Sequence, residues 1–329
     1  MANKVSIVLA TYTGEDHIDD CLQSLLDQNA GDYEFEVVVV IDGPNKTLRQ
    51  KVETKNDDFV GRGIPFTIFQ FEKNQGRYVA RLKGAQIAKN PQLLLVDDRS
   101  LLDANYLNAV VESGESCIIS NAIESESPTL ISRVLYLLRR KIYSGGWGEK
   151  FDSYYITDQN FEKSPKGTTG FWVSKKMFLE ACAAIKGKNL KSVNEDTKLF
   201  KYILSQGKKL YKSSEAKVYY RPRTEVSEEL RHLYGRGPRF VDYYFQKGTR
   251  YYKHIWLLAV LLPIFTAALV ALPQLFIGVI IGFSISTIVV AVLIATRLRD
   301  ILVVIVGLPL VVGAFVAGVI KGLAAKARR

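Results

Sequence analysis

VSIVLATYTGEDHIDDCLQSLLDQ, residues 5–28, decides the fold. Its first six residues, five of them apolar, are a run of strand length, and from 20 to 28 the apolar residues fall at helical spacing. A strand apolar on both faces, followed by an amphipathic helix, is how a parallel sheet covered on both sides begins. The pattern repeats. EVVVVIDG (36–43), PFTIFQF (65–71), QLLLVDD (92–98) and CIISN (117–121) read as further buried strands, with RYVARLKGAQIA (77–88) and NYLNAVVES (105–113) as helices between them. This alternation predicts an α/β fold with a mainly parallel sheet. In such sheets ligands sit beyond the carboxyl ends of the strands. Those ends carry Thr11–Glu15, Asp42-Gly43 and Asp97-Asp98. A lone acid there is commonly a helix cap; three strands delivering polar groups to one rim point to a shared site.

The other half of the pattern is an apolar block. From Ile255 to Leu323 the sequence has one acid, Asp300, and is otherwise mostly Leu, Val, Ile, Ala, Gly and Phe. It divides at punctuation into 255–272, 275–296 and 301–323, each long enough for a bilayer core of about 30 Å. A wholly soluble protein is thereby excluded, and the expected organisation is an α/β domain at 1–216, a basic and aromatic juxtamembrane segment at 217–254, and a transmembrane region at 255–329. Trp256 and the tyrosines at 243, 244, 251 and 252 suit an interfacial belt.

The 329 residues carry 44 Lys plus Arg against 33 Asp plus Glu, a net charge of +11. Residues 1–216 hold 29 basic and 28 acidic residues, 217–254 hold 9 and 4, and 255–329 hold 6 and 1. The excess therefore lies beside and within the apolar block, where it would meet anionic headgroups, and the near-neutral first domain excludes a nucleic-acid binder. Basic residues before the first apolar piece and at Arg297 and Arg299 agree with a hairpin entered from the cytosol. A third full crossing would put Lys326, Arg328 and Arg329 outside, against the positive-inside tendency, while Pro309 offers a break that would make the piece re-entrant. The start, MANKVSIVLATYTG, reads as a first strand rather than a leader, so the first domain is expected in the cytoplasm of a multi-pass membrane protein. Cys21, Cys117 and Cys182 form no CxxC, and His17, His232 and His254 have no ligand spacing, which leaves disulfide scaffolds, zinc sites and Ser-His-Asp chemistry without support.

In the middle, SRVLYLLRRKIY (132–143) is a basic amphipathic stretch suited to a surface or to the membrane boundary. GTTGFWVSKKMF (167–178) leads into a helix, and NEDTKLFKYILSQG (194–207) opens another with Glu195 and Asp196 at its N-terminus.

In order and spacing, VSIVLATYTGEDHIDDCLQSLLDQ, VVVVIDG, NQGRYVARLKGAQIA, LLLVDDRSLLDANYL, GTTGFWVSKKMF and NEDTKLF make the chain resemble family 2 glycosyltransferases over about residues 4–240. The resemblance implies a GT-A fold, a Rossmann-like mainly parallel sheet that handles nucleotide-diphospho-sugars. It also implies an inverting transferase, which with this tail would move a sugar from a nucleotide-sugar donor to a lipid-linked or growing glycan acceptor at the membrane. Thr11, Tyr12 and Glu15 match the nucleotide-contacting loop, Asp42 the acid that reads the base, and Gly76, Ala80 and Arg81 the segment before the metal strand, with Arg81 on the diphosphate. Asp97 matches the first acid of the DxD signature that holds Mg or Mn; Asp98 is the second candidate ligand, and Arg99 stands where the second Asp would be. Glu195 and Asp196 match the ED motif, with Asp196 as base. Gly170, Phe171 and Trp172 would line the acceptor side, and Arg231, Arg236 and Arg239 would face the diphosphate or lipid headgroups. The departure at Arg99 motivates an alternative, a catalytically weak nucleotide- or partner-binding domain in a glycan-assembly complex.

Overall fold

The computed structural model describes residues 4–328 apart from 30, 32, 125–126, 144–150, 186–189 and 273. The chain forms two compact units, one of residues 1–125 with 143–221 and one of residues 126–142 with 222–329.

The first unit opens with β1 (Lys4–Thr11), α1 (Ile18–Leu26), β2 (Glu34–Ile41), α2 (Lys46–Gly61), β3 (Phe66–Gln70), α3 (Arg77–Ile87) and β4 (Gln92–Asp97). β1 and β2 are each buried over seven consecutive residues, as strands covered on both faces must be. These four strands are parallel and lie in the order β3-β2-β1-β4. The chain first builds leftward from β1 and then returns to its right-hand side at β4, so the order reverses between β1 and β4. Helices leave the sheet in opposite directions there, which opens a crevice at the carboxyl ends.

Beyond β4 the parallel pattern gives way. β5 (Ser100–Leu102), α4 (Tyr106–Glu112) and β6 (Cys117–Ile123) follow, then α5 (Leu130–Ile142) of the second unit, then β7 (Tyr154–Ile156), β8 (Phe171–Ser174), α6 (Lys175–Ala184), α7 (Glu195–Ser205) and β9 (Leu210–Tyr220). β8 inserts antiparallel between β4 and β6, β9 runs parallel to β6, and β5 and β7 pair antiparallel with β9. The sheet is therefore mixed, with a parallel half that carries the crevice. Its main core packs Val5, Ile7, Leu9, Val37, Val39, Leu94 and Val96 against Leu22, Leu25, Leu48 and Val52 of α1 and α2.

The second unit is helical: α5, α8 (Val226–Tyr244), α9 (Tyr252–Ala271), α10 (Gln274–Ile294) and α11 (Leu298–Ala327). Among the described residues, α10 and α11 are long and apolar enough to cross a membrane. Pro309 sits inside α11 without ending it. The basic amphipathic stretch is α5. Its apolar face, Ile131, Val134, Leu135 and Leu137, packs with Leu233, Ala291, Val304, Leu308 and Val311. Arg133 fixes it there through two bonds to Asp300, Nε to Oδ1 at 2.9 Å and Nη2 to Oδ2 at 2.8 Å. The same carboxylate accepts from the backbone N–H groups of Thr296 and Arg297 and caps the start of α11.

Candidate active site

The crevice between β1 and β4 collects its side chains from strand ends and from two helix starts. Thr11 closes β1 and donates its hydroxyl to Asp98 Oδ2 at 2.6 Å. Gly14 makes this possible, because a Cβ there would lie 2.4 Å from that oxygen. Tyr12 is exposed, its ring edge against Gly43, where a Cβ would lie 3.2 Å from Cε2. Asn45 caps α2 by accepting from Leu48 N, and donates to Tyr12 O at 3.0 Å and Glu15 Oε1 at 2.5 Å. Glu15 is thus held in the wall by a residue that the sequence reading passed over.

Asp42 ends the second strand's run, buried, with its carboxylate oxygens accepting from Gln75 N at 2.6 Å and Gly76 N at 2.8 Å. It anchors the backbone that turns into α3. Gly76 takes a positive φ of 97° at that turn, and a Cβ on it would come within 2.9 Å of Lys191 Cα.

From this turn α3 projects Arg77 and Arg81, one helical turn apart and so on one face. Arg81 is 1% exposed. Its Nη2 donates to Asp97 Oδ1 at 2.5 Å, its Nη1 to Asp196 Oδ1 at 3.2 Å and to Thr168 Oγ1, and its Nε is buried without a hydrogen-bond partner. Arg77, 35% exposed, donates from Nε to Glu195 Oε1 at 2.5 Å and from Nη2 to Asp196 Oδ2 at 3.1 Å. Glu195 and Asp196 form the first turn of α7, where Asn194 caps the helix through Thr197 N and the helix dipole favours negative charge. Thr168 donates to Asp196 Oδ1 at 2.6 Å and Thr169 to Asp97 Oδ2 at 3.1 Å. Two arginines thus bind three carboxylates brought from β4 and α7, and one guanidinium joins Asp97 to Asp196.

Burial opposes the charge on Asp97, yet Arg81 and then Arg77 outweigh it and hold the carboxyl below its ordinary range. Burial also works against Arg77, and Asp196, Glu195 and Asp97 more than restore its proton affinity. Burial pushes the Cys21 thiol well up and the Cys182 thiol to about 12.

The structure therefore gathers Thr11, Tyr12, Glu15, Asp42, Arg81, Asp97, Asp98, Glu195 and Asp196 around the crevice. Arg99 lies in the turn between β4 and β5, its carbonyl accepting from Arg221 N at 2.9 Å. Phe171 and Trp172, assigned above to the acceptor side, lie on β8. Both belong to a strand in the interior of the sheet; Phe171 is fully buried, edge-on to Phe200, and Trp172 packs in the main core. Gly170 stands before that strand at φ 69°, where a Cβ would be 2.6 Å from Ser120 Oγ. Arg231, Arg236 and Arg239 lie on α8, in the second unit. Arg77, Thr168 and Thr169 are site residues that sequence reasoning missed, although the i, i+4 spacing of Arg77 and Arg81 and the paired threonines of GTTG were visible signals.

A divalent cation would need several oxygens free to converge. Asp97 gives one oxygen to Arg81 and the other to Thr169, Asp98 accepts from Thr11, and no group of three acidic, His or Cys side chains suited to a metal occurs among the described residues. Asp97 and Asp98 would therefore supply only part of a cation's oxygen set.

Residues 6–116 match the model of the family described as glycosyl transferase family 2. No curated protein matches. Among solved structures, the fold is similar to the mannosyltransferase PcManGT from Pyrobaculum calidifontis in complex with GDP-Man and Mn2+, with a TM-score of 0.58 at 13% identity, covering 97% of this chain and 86% of that one. It is also similar to S. aureus TarS, with a TM-score of 0.50 at 16% identity over 75% of this chain and 44% of that one, and to TarS 1–349 in complex with UDP, at 0.49, 18%, 73% and 66%. The chain thus spans less than half of TarS and just under two thirds of the shorter TarS chain. At these identities the likeness is one of fold, and the fold is GT-A.

Proposed function

We propose, from the premise that residues 6–116 are a family 2 glycosyltransferase segment, that this protein is a membrane-anchored inverting enzyme. It takes a sugar from a nucleotide-sugar donor on the cytosolic face and passes it to a lipid-linked or growing glycan acceptor. The observation that carries this reading is the Arg81 bridge between Asp97 and Asp196. It sets the strand end that meets the donor beside the helix start that carries a base.

In this reading the acceptor hydroxyl oxygen bonds to the anomeric carbon from the side opposite the diphosphate. The carbon–oxygen bond to the diphosphate breaks, the nucleoside diphosphate leaves with its electron pair, and the hydroxyl proton passes to Asp196. Asp196 suits the role because its side chain keeps 18% of its surface open while Thr168, Arg77 and Arg81 fix its orientation. Glu195, at 4%, is closed off and acts as a positioning residue that steadies Arg77. Arg77 and Arg99 supply positive charge toward the departing diphosphate, a task that guanidinium groups perform with paired hydrogen bonds. Tyr12 offers an exposed ring beside Gly43 for the donor's base.

The test is a donor screen on the full chain in detergent, with and without a lipid extract, reading released nucleotide. Asp196→Asn should keep donor binding and lose about 10²–10⁴-fold in transfer rate; near-normal turnover would remove Asp196 from the mechanism. The engagement of both Asp97 oxygens favours a second reading, a nucleotide-binding domain with little turnover. Donor binding without nucleotide release across the whole panel would establish it.

A further inference from the structure

α11 has 30 residues, more than the roughly 20 a crossing needs, yet its neighbours are not those of a crossing helix. α5 covers its first third: a Cβ at Gly307 would lie 2.7 Å from Leu130 and 2.8 Å from Val134. α8 covers the rest. A Cβ at Gly318 would lie 2.1 Å from Tyr234 O, and one at Gly322 would lie 2.9 Å from Pro238 Cα. Phe240 meets Phe315 at 5.4 Å, and Lys326 Nζ donates to Phe245 O at 2.8 Å.

These contacts fix depth. Gly318 is twenty residues beyond Leu298, about 30 Å along a helix that rises 1.5 Å per residue, which is the thickness of the hydrocarbon core. An upright α11 would carry Gly318 to the far leaflet and take α8 with it. α8 contains Glu228, Glu229, Arg231, Arg236, Arg239 and Asp242, charges that a bilayer interior rejects. No apolar span separates α8 from Arg221, so α8 stays on the side of the catalytic unit.

α10 contrasts with this. Ile277, Ile280, Ile281, Phe283, Ile285 and Ile288 are all exposed, and its buried residues among those described are Thr287 and Ala291, near its end. Its residues in the shared apolar cluster, Val290, Ala291 and Ile294, all lie in its last two turns. α11 instead shows one exposed apolar stripe, Leu298, Leu302, Val306, Leu310 and Ile320, opposite the covered face.

We propose that α11 does not cross. It lies in the interfacial plane of the leaflet at which the chain first enters the membrane, with its stripe among phospholipid acyl chains and α5 and α8 on its other side, while α9 and α10 form the crossing hairpin. This rests on the membrane-anchored reading given above. Continuity with that hairpin sets the stripe at the bilayer. Arg297, Arg299, Lys321, Lys326 and Arg328 then all face one leaflet, where anionic headgroups complement them.

The test places single cysteines at Lys247, Gln274 and Arg328 in the full chain. The three native cysteines are buried, so the unaltered protein is the blank. In sealed vesicles of known orientation, a membrane-impermeant maleimide should label Lys247→Cys and Arg328→Cys from one face and Gln274→Cys from the other. Spin labels on Leu302→Cys and Ile320→Cys should report the same shallow depth. Labelling of Arg328→Cys from the face of Gln274→Cys, or water-like exposure of both spin labels, overturns the in-plane helix. Labelling of all three from one face instead refutes the α9–α10 crossing, and with it the anchored reading on which the proposal rests.

Discussion

Arg81→Met tests the site's central claim, that one buried guanidinium holds its carboxylates together. Met keeps an unbranched apolar stem in the same space but removes the donors to Asp97, Asp196 and Thr168. Three carboxylates then share Arg77 alone. Removing one partner of a buried ion pair costs about 3–5 kcal/mol, and in a unit of this size each kcal/mol lowers Tm by about 2–4 °C, so the expected drop at pH 7 is about 6–20 °C. The pH dependence follows from Asp97. In the native chain its carboxyl lies below its ordinary value of 3.8, so its contribution is complete above that value and is lost only as pH falls through the depressed one. Without Arg81, burial pushes the carboxyl up instead, and the penalty is greatest at neutral pH and relaxes as protonation sets in. The Tm gap between the two proteins should therefore narrow between pH 7 and pH 5. Thermal unfolding of the detergent-solubilised chain at both values measures this, and Arg81→Met with Asp97→Asn should recover part of the loss. A gap below about 4 °C, or one that does not change with pH, would refute the reasoning.

Three further outcomes are expected. Transfer by the native enzyme should depend weakly on Mg or Mn and Arg99→Asp should make it strongly dependent, read as rate against metal concentration with and without chelator; full chelator inactivation of the native enzyme would count against Arg99. Burial pushes the Lys212 amine down to about 7 from 10.5 while its Nζ donates to Ser120 O, so the unfolded chain binds this proton between those values and the folded one does not. Stability should rise with pH over that range, and Lys212→Met should raise Tm at pH 7 by an amount that fades toward pH 10; no difference at pH 7 would sink the assignment. Truncation after Gln246 removes Ala291, Val304, Leu308 and Val311, which cover Ile131, Val134, Leu135 and Leu137 on α5 together with the retained Leu233, so the shortened chain should aggregate in a sedimentation assay rather than remain soluble.

The parallel half of the sheet was legible because its strands are buried on both faces and read as apolar runs: 5–10, 36–43, 65–71 and 92–98 lie on β1 to β4. β9, LYKSSEAKVYY, was not, since its burial alternates and Lys212 and Ser213 are among the buried residues. α2 went unread because only Leu48, Val52 and Phe59 of its sixteen residues are buried. Within the site, strand ends marked Asp42, Asp97 and Asp98, but residue type does not reveal partners. Backbone N–H groups from Gln75 and Gly76 meet Asp42, and Arg77 arrives at α7 from 118 residues away in sequence. Trp172 shows the same limit: an aromatic that suits a sugar face also suits a sheet interior, and residue type does not separate the two.

The Arg133–Asp300 pair joins residues 167 positions apart, and this has a consequence for biosynthesis. At about 5–20 residues per second, α5 leaves the ribosome roughly 10–30 s before the segment that covers it. During that interval Ile131, Val134, Leu135 and Leu137 have no α11 to pack on. The nascent chain therefore needs a temporary cover, from a chaperone or the insertion machinery, long before its first membrane helix is made, so a strain short of such factors should lose this protein at the stage of α5 rather than at the anchor.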